Sequence, residues 1–333
     1  MGFASRGDLQ ARFFPATLVC VMSDPLLQAV GLTVQFAKTM AVNYLDMQVH
    51  SGELIGLIGP NGSGKTTLLR ALCGLQRPSC GKVLVHGSLL ENDWELLRQI
   101  GFTPDTPPVY EQLSVRDFLR FIGRGYDLPA SETEERIDFW LEQLWLTEKA
   151  NEPIKALSRG MRQRIGIART MIPNPSVVLL DEPAAGLDPA GRAQFRQLLC
   201  SLREQGKAII VSSHILADMD QYCSHIAIMS AGRLIKFGTV HAIANEHSGE
   251  RCRYLMTLTR PVAGLHAQLA SMDGIEKVNV DRDRVQLEYS SQREDAADLL
   301  YRLVELKLPI SAFAPIALDL EEAYLRTGVK QVD

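Results

Sequence analysis

The sequence predicts an α/β fold over residues 25–240, followed by a smaller α+β domain over 241–333. Two observations carry the first part. Short apolar runs alternate with helical segments. Several of those runs are continuous, as in strands covered on both faces. A third observation sets the boundary: after Gly238 the apolar residues alternate, and a β-α-β-β-α-β order takes over.

Leu27–Phe36 and Tyr44–Val49 read as the first strands. Leu54–Ile58 is a continuous apolar run that ends in a glycine-rich stretch, and Thr66–Leu75 follows with helical spacing. Lys82–Val85 and Ile100-Gly101-Phe102 are short strands. Residues 105–155 hold no convincing strand. Val115–Gly123 and Glu132–Leu144 read as helices, with Phe118, Phe121, Phe139, Trp140 and Trp145 among or beside them. With Arg159–Met171 this predicts a helical insertion over about 105–170. Val177–Leu180, Ala208–Ser212 and Ile226–Met229 are the next strands, and Ala190–Glu204 and Ile215–Tyr222 the helices between them. In the tail, Arg253–Thr259 alternates, Leu265–Ala270 is helical, and Lys277–Val280 and Arg284–Tyr289 form a hairpin about Asp281-Arg282-Asp283. Arg293–Leu306 is amphipathic and Ile310–Ala314 is a last strand. That order suits a small ferredoxin-like domain.

Composition narrows the partners. A chain of 333 residues with net charge −4 argues against a nucleic-acid-coating surface, and no nucleic-acid partner is expected. The six cysteines form no Cys-x-x-Cys pair and suggest neither a zinc site nor a disulfide framework. No apolar run reaches the roughly 18–20 residues of a membrane span. Phe13–Met22 loosely resembles a signal peptide, but its apolar part is short, Pro15 breaks it, and no A-x-A site follows. The expectation for residues 1–24 is disorder, or a natural start at Met22.

Residues 59–67 read GPNGSGKTT and fill the pattern G-x-x-x-x-G-K-[ST] between a strand and a helix. Gly59, Gly62 and Gly64, with Pro60, Asn61 and Ser63, let backbone N–H groups converge on phosphate oxygens. The helix N-terminus adds positive potential. Lys65 can reach the β- and γ-phosphates, Thr66 can ligate Mg²⁺, and Thr67 continues the turn. These features point to a nucleotide; a chance glycine turn would not fill every position. Val177–Leu180 then delivers Asp181 and Glu182 to a strand end, where alternation separates them. Asp181 can hold the Mg²⁺ shell and Glu182 can act as general base toward water. Alone, such a pair could be solvated acids.

Ala156-Leu157-Ser158-Arg159-Gly160-Met161-Arg162-Gln163-Arg164 resembles the signature motif of ABC-transporter ATPases, a family of P-loop NTPases. With the phosphate loop, LLDEP, Gly186-Leu187-Asp188-Pro189 and Ser212-Ser213-His214, the resemblance covers roughly residues 27–240. It implies a head-to-tail pair of ATPase domains, each ATP lying between one phosphate loop and the other copy's Ser158, Arg159, Gly160 and Met161. Ser158 also suits an ordinary helix cap. The resemblance implies that Phe36 stacks on adenine, with Tyr44 as the less favoured substitute and a core strand residue as the plain alternative. It implies that Asp188 lies in the loop that crosses the dimer, and that His214 contacts the γ-phosphate. Two departures stand out. Asp105, after Pro104, replaces the usual glutamine near Mg²⁺, and Arg159 replaces the first signature glycine.

The same resemblance implies an ATP- and Mg²⁺-dependent ATPase, peripheral on the inner face of the membrane and serving a separate permease. The LSRGMRQR form, Ser-Ser-His-Ile-Leu, the small tail domain and the ending Asp319–Leu325 are similar to ATPases paired with ABC-2-type permeases, where export is usual. The insertion, with Asp105 to Val115, would receive the permease, although local core accounts for most of its aromatics. The tail would dimerise, regulate or merely pack. Two rivals remain: a non-transport ABC ATPase of ribosome or DNA complexes, and a nucleotide-gated module that hydrolyses little.

Overall fold

The structure is a computed structural model that describes residues 24–91, 93–213, 219–245, 251–290, 296–315 and 324. The chain divides into two compact units, one running to Val240 and one from His241 to Thr327.

In chain order the first unit holds β1 (Leu27–Phe36), β2 (Thr39–Val49), β3 (Leu54–Ile58), α1 (Lys65–Leu72), β4 (Cys80–Val85), β5 (Ser88–Leu89), α2 (Trp94–Arg98), β6 (Ile100–Thr103), α3 (Val115–Gly125), α4 (Ala130–Gln143), α5 (Arg159–Met171), β7 (Val177–Leu180), α6 (Pro189–Glu204), β8 (Ala208–Ser213), β9 (His225–Ser230) and β10 (Arg233–Thr239). Helix α7 (Val240–Asn245) starts at the boundary.

The strands make two sheets of different character. The six-stranded sheet runs β10-β9-β3-β8-β7-β6. Neighbours β9-β3-β8-β7-β6 are parallel, and only β10 is antiparallel. All five residues of β3 and all four of β7 are buried, which explains their unbroken apolar sequences. The second sheet, β2-β1-β4-β5, is antiparallel, and burial alternates along β1. Helix α1 ties the two together. Its Leu68, Leu69 and Leu72 share one core with Leu27 and Leu32 of β1 and Leu57, Leu179 and Ile210 of the parallel sheet. Each such side chain contributes about 1.5–3 kcal/mol of burial, so the first turn of α1 is held firmly at the end of β3.

Several elements differ from the expectation. Strand β2 begins at Thr39 rather than Tyr44, because the exposed tip Thr39-Met40 pairs back on Gln35 and Phe36. Helix α1 stops at Leu72, closed by Gly74 at φ +76°. The five-residue α2, the two-residue β5, the edge strand β10 and α7 were not expected; β10 alternates between exposed and half-buried residues and has no apolar run. Of the expected helix Ile215–Tyr222, a 3₁₀ turn at Met219–Gln221 is seen, and residues 214–218 lie outside the described residues.

Between β6 and β7 lie α3, α4 and α5. Ion pairs bind the first two: Arg116 to Glu134 at 2.8 Å and to Asp138 at 2.6 Å, and Arg120 to Glu134. Arg120 holds the Glu134 carboxyl below the usual carboxylate range.

The second unit holds β11 (Arg251–Leu258), α8 (Leu265–Ala270), β12 (Ile275–Asp281), β13 (Arg284–Ser290), α9 (Ala296–Glu305) and β14 (Ile310–Pro315). The antiparallel sheet runs β12-β13-β11-β14. Tyr254, Met256, Val285 and Leu287 on one face form a core with Leu265, Leu269, Leu299 and Leu303 of the helices. Residues 1–23 and the segment Asp319–Leu325 apart from Tyr324 lie outside the described residues. Among the described residues no helix is long and apolar enough to cross a membrane.

Candidate nucleotide site

Strand β3 ends at Ile58, and the chain then turns through residues 59–64 into α1. Two glycines make the turn possible. A Cβ on Gly59 would lie 2.3 Å from the Met229 carbonyl oxygen and 2.6 Å from Ser63 Oγ. Gly64 has φ +104°, and a Cβ there would lie 2.1 Å from the Ala41 carbonyl oxygen. The loop is thus wedged between the end of β9 and the start of β2, where only bare backbone fits. Helix α1 has no side-chain cap and no acidic residue in its first turn. Its N-terminal potential is left for an external anion.

Lys65 lies over the loop and is buried. Its Nζ donates to the Gly59 carbonyl at 2.7 Å and to the Pro60 carbonyl at 3.2 Å. Burial lowers its pKa, and the charges of Glu182 and Asp181 oppose that shift. Ser63 Oγ is buried and has no hydrogen-bond partner among the described residues. Asn61, Gly62 and Thr66 are exposed, and Pro60 and Thr67 are half-buried.

Asp181 and Glu182 follow β7 at the same end of the parallel sheet. Asp181 is buried, and its amide donates to the Thr103 carbonyl at 2.9 Å. Ser212, from the end of β8, donates its hydroxyl to Asp181 Oδ1 at 2.6 Å and accepts the Glu182 amide at 2.9 Å. One hydroxyl therefore fixes both acids. Glu182 has φ +47°, a left-handed conformation that non-glycine residues avoid. The strain of that bend is on the order of 1 kcal/mol or more.

Other expected residues start or follow neighbouring elements. Ser158 caps α5 by accepting the Met161 amide at 3.3 Å. Gly160 abuts the next loop, since a Cβ there would sit 3.2 Å from the Gly186 carbonyl oxygen. Asp188 caps α6 by accepting the Gly191 amide at 2.9 Å. Asp105 follows β6 and pairs loosely with Arg159, Oδ1 to Nη2 at 3.9 Å. Among the described residues no hydrogen bond or ion pair joins residues 158–161 to residues 59–67. Phe36 is half-exposed at the β1–β2 hairpin, opposite Thr39 and close in sequence to Ala41, whose carbonyl meets Gly64. Tyr44, more exposed still, lies over Gly31 instead. His214 lies outside the described residues.

Sequence reasoning passed over Ser212 as a structural tie. The available signal was a hydroxyl at the end of the apolar run Ala208-Ile209-Ile210-Val211, but its link to Asp181 exists only once β7 and β8 pair. It also passed over a cleft of about 480 Å³ beside this edge. Trp94, Leu97, Ile122 and Tyr126 supply apolar walls, with Arg70 and Arg169 at its border. Trp94 stacks on Tyr126 at 5.8 Å.

The family model described as ABC transporter matches residues 42–185. A Nod factor export ATP-binding protein I of Cupriavidus pinatubonensis is 34% identical over 71% of this chain and 73% of its own length. ABC transporter ATP-binding protein YhcH of Bacillus subtilis is 32% identical over 90% of this chain and 95% of its own length, so the likeness runs through the second unit. The chain spans about 60% of the length of the first curated relatives it matches. A solved ATP-binding subunit of an ABC transporter superposes with TM-score 0.62 at 30% identity, covering 66% of this chain and 92% of that one. The wedged phosphate loop, the two acids tied by Ser212 and these likenesses agree: the chain belongs to the family of ABC transporter ATP-binding proteins, ATPases of the phosphate-loop class.

Proposed function

We propose that the chain is the ATP-hydrolysing subunit of an ABC transporter and that it energises a separate ABC-2-type permease for export. The observation that carries this reading is the division of the site. A phosphate loop with buried Ser63 and Lys65 stands with the paired acids at one edge, while among the described residues the turn of exposed Ser158 and Arg159 makes no hydrogen bond or ion pair with that loop. A site of that form is completed by a second copy. The phosphates of ATP would lie on residues 59–67, with Phe36 against adenine. Ser158, Arg159, Gly160 and Met161 of the other copy would cover the γ-phosphate, and the loop of Asp188 would cross between copies.

In that arrangement Lys65 gives up its contacts with the Gly59 and Pro60 carbonyls for β- and γ-phosphate oxygens. Glu182 accepts a proton from a water whose oxygen attacks the γ-phosphorus. The bond from the γ-phosphorus to the β–γ bridging oxygen breaks, releasing ADP and phosphate. His214 would orient that water. The oxygen donors at hand fit Mg²⁺: the Thr66 hydroxyl and the Asp181 oxygen not engaged by Ser212 would hold it, and Asp105 would assist. Bound there, it would offset phosphate charge.

The Cupriavidus relative, a Nod factor export ATP-binding protein, supports export. The cleft of Trp94 and Tyr126 offers apolar surface beside α3, suited to a cytoplasmic helix of a permease. In that reading the chain would work at the inner face of the cell membrane, with residues 241–333 as an accessory domain. The test is to purify the tagged chain from native membranes and identify what accompanies it by mass spectrometry. A polytopic membrane protein in stoichiometric yield is the expected result. Ribosomal or DNA-bound proteins in its place would overturn the transporter reading and leave a non-transport ATPase.

A further inference from the structure

Arg159 and Asp105, the two departures from the family's pattern, face each other. Arg159 Nη2 is 3.9 Å from Asp105 Oδ1 in the same chain. The stem of Arg159 also lies along the loop that leads to Asp188: a Cβ on Gly186 would be 3.5 Å from Arg159 Cδ and 3.6 Å from Nε. Asp105 is positioned by β6, whose Thr103 carbonyl takes the Asp181 amide. Arg159 therefore bridges loops that flank its own chain's acids, although it starts a helix whose turn is open to solvent. Both side chains are well exposed, 73% and 52%, so the pair is screened by water and biases a conformation only a few-fold. A guanidinium held this weakly is free to exchange partners. A triphosphate is the stronger competitor, because it carries more negative charge than a single carboxylate and also accepts the guanidinium fork.

Building on the two-copy reading above, we propose that Arg159 is a positioning residue with two alternating anionic partners. Without a facing nucleotide it is held by Asp105 of its own chain. When the sandwich closes it transfers to the triphosphate bound by the other copy. Asp105 is thus a restraint on dimer closure, and each closure removes the cation from the carboxylate beside the closing chain's own acids.

The experiment uses the full chain carrying Glu182→Gln, with ATP and Mg²⁺ present, and measures the dimer dissociation constant by analytical ultracentrifugation. Asp105→Asn is expected to tighten the dimer about two- to fivefold, the scale of an exposed ion pair. The same substitution is expected to have no effect in an Arg159→Gln background. Arg159→Gln alone weakens the dimer, Arg159→Lys recovers part of the loss, and the folding equilibrium of the nucleotide-free chain shifts by no more than about the two- to fivefold scale of an exposed ion pair in any of them. An equal effect of Asp105→Asn with and without Arg159 would overturn the proposal while leaving the two-copy site intact. A Glu182→Gln chain that stays monomeric would overturn the two-copy site itself, and the proposal with it.

Discussion

The phosphate loop and the signature turn each open a helix, yet they are built in opposite ways. The first is closed in by its own chain: Gly64 meets the Ala41 carbonyl, Lys65 is buried, and α1 packs three leucines into the core. The second is open. Ser158 caps its own helix, Arg159 is largely exposed, and its nearest anion is a loosely held carboxylate. On the proposed reading a single chain thus carries one finished half-site and one that a second copy would complete. The proposed two-copy site would need rigidity where it grips phosphates and freedom where a second surface arrives and leaves.

The largest effect that sharpens this contrast is chemical. Glu182→Gln keeps the shape of the finished half and removes its base, so phosphate release in a single turnover should slow about 10²–10⁴-fold while ATP still binds. Unchanged release would remove Glu182 from its role. The contrast itself is broken or kept by two glycines. Gly64→Ala meets both φ +104° and a carbonyl at 2.1 Å, and should cost about 2–4 kcal/mol in urea unfolding and abolish nucleotide binding. Gly160→Ala meets its nearest atom at 3.2 Å and should cost the isolated chain less than about 1 kcal/mol. Similar costs would mean that the two turns are equally constrained.

Ser212→Ala should come next. It leaves the buried Asp181 short of a donor and the Glu182 amide short of an acceptor, a loss of about 1–3 kcal/mol seen in unfolding and a slower turnover. The smallest effect at neutral pH lies at the far end of the sheet. Lys207 is buried, its Nζ donating to Asn174 Oδ1 at 2.8 Å and the Pro175 carbonyl at 2.6 Å, and burial pushes its pKa down to about 8. Below that value both the folded and unfolded chains hold the proton. Between about 8 and the ordinary lysine value the unfolded chain binds more protons, so this residue's contribution to stability rises with pH. The stability of the wild type relative to Lys207→Met should therefore increase by about 1–3 kcal/mol from pH 8 toward pH 10.5, with no change in ATP-driven assembly. A flat difference would remove the buried cation from the account.

Much of the finished half was legible in the sequence. Leu54–Ile58 and Val177–Leu180 are covered on both faces, so their apolar runs are unbroken, and each delivers its motif to the same sheet edge. What stayed hidden depends on pairing across the fold. Ser212 becomes a tie only beside β7, and Arg159 finds Asp105 only when α5 folds back past β6. Strand β10 has an exposed edge, and α2 is five residues long, so neither leaves a periodic signal. The open half was recognisable by its motif, while its openness was not, because exposure is a property of packing.

The central claim is that two copies complete one another's sites. Light scattering of the Glu182→Gln chain with ATP and Mg²⁺ tests it most directly. The account predicts twice the 36.9 kDa of one chain, reverting to a single chain when ATP is removed. A mass of one chain at saturating ATP would contradict it.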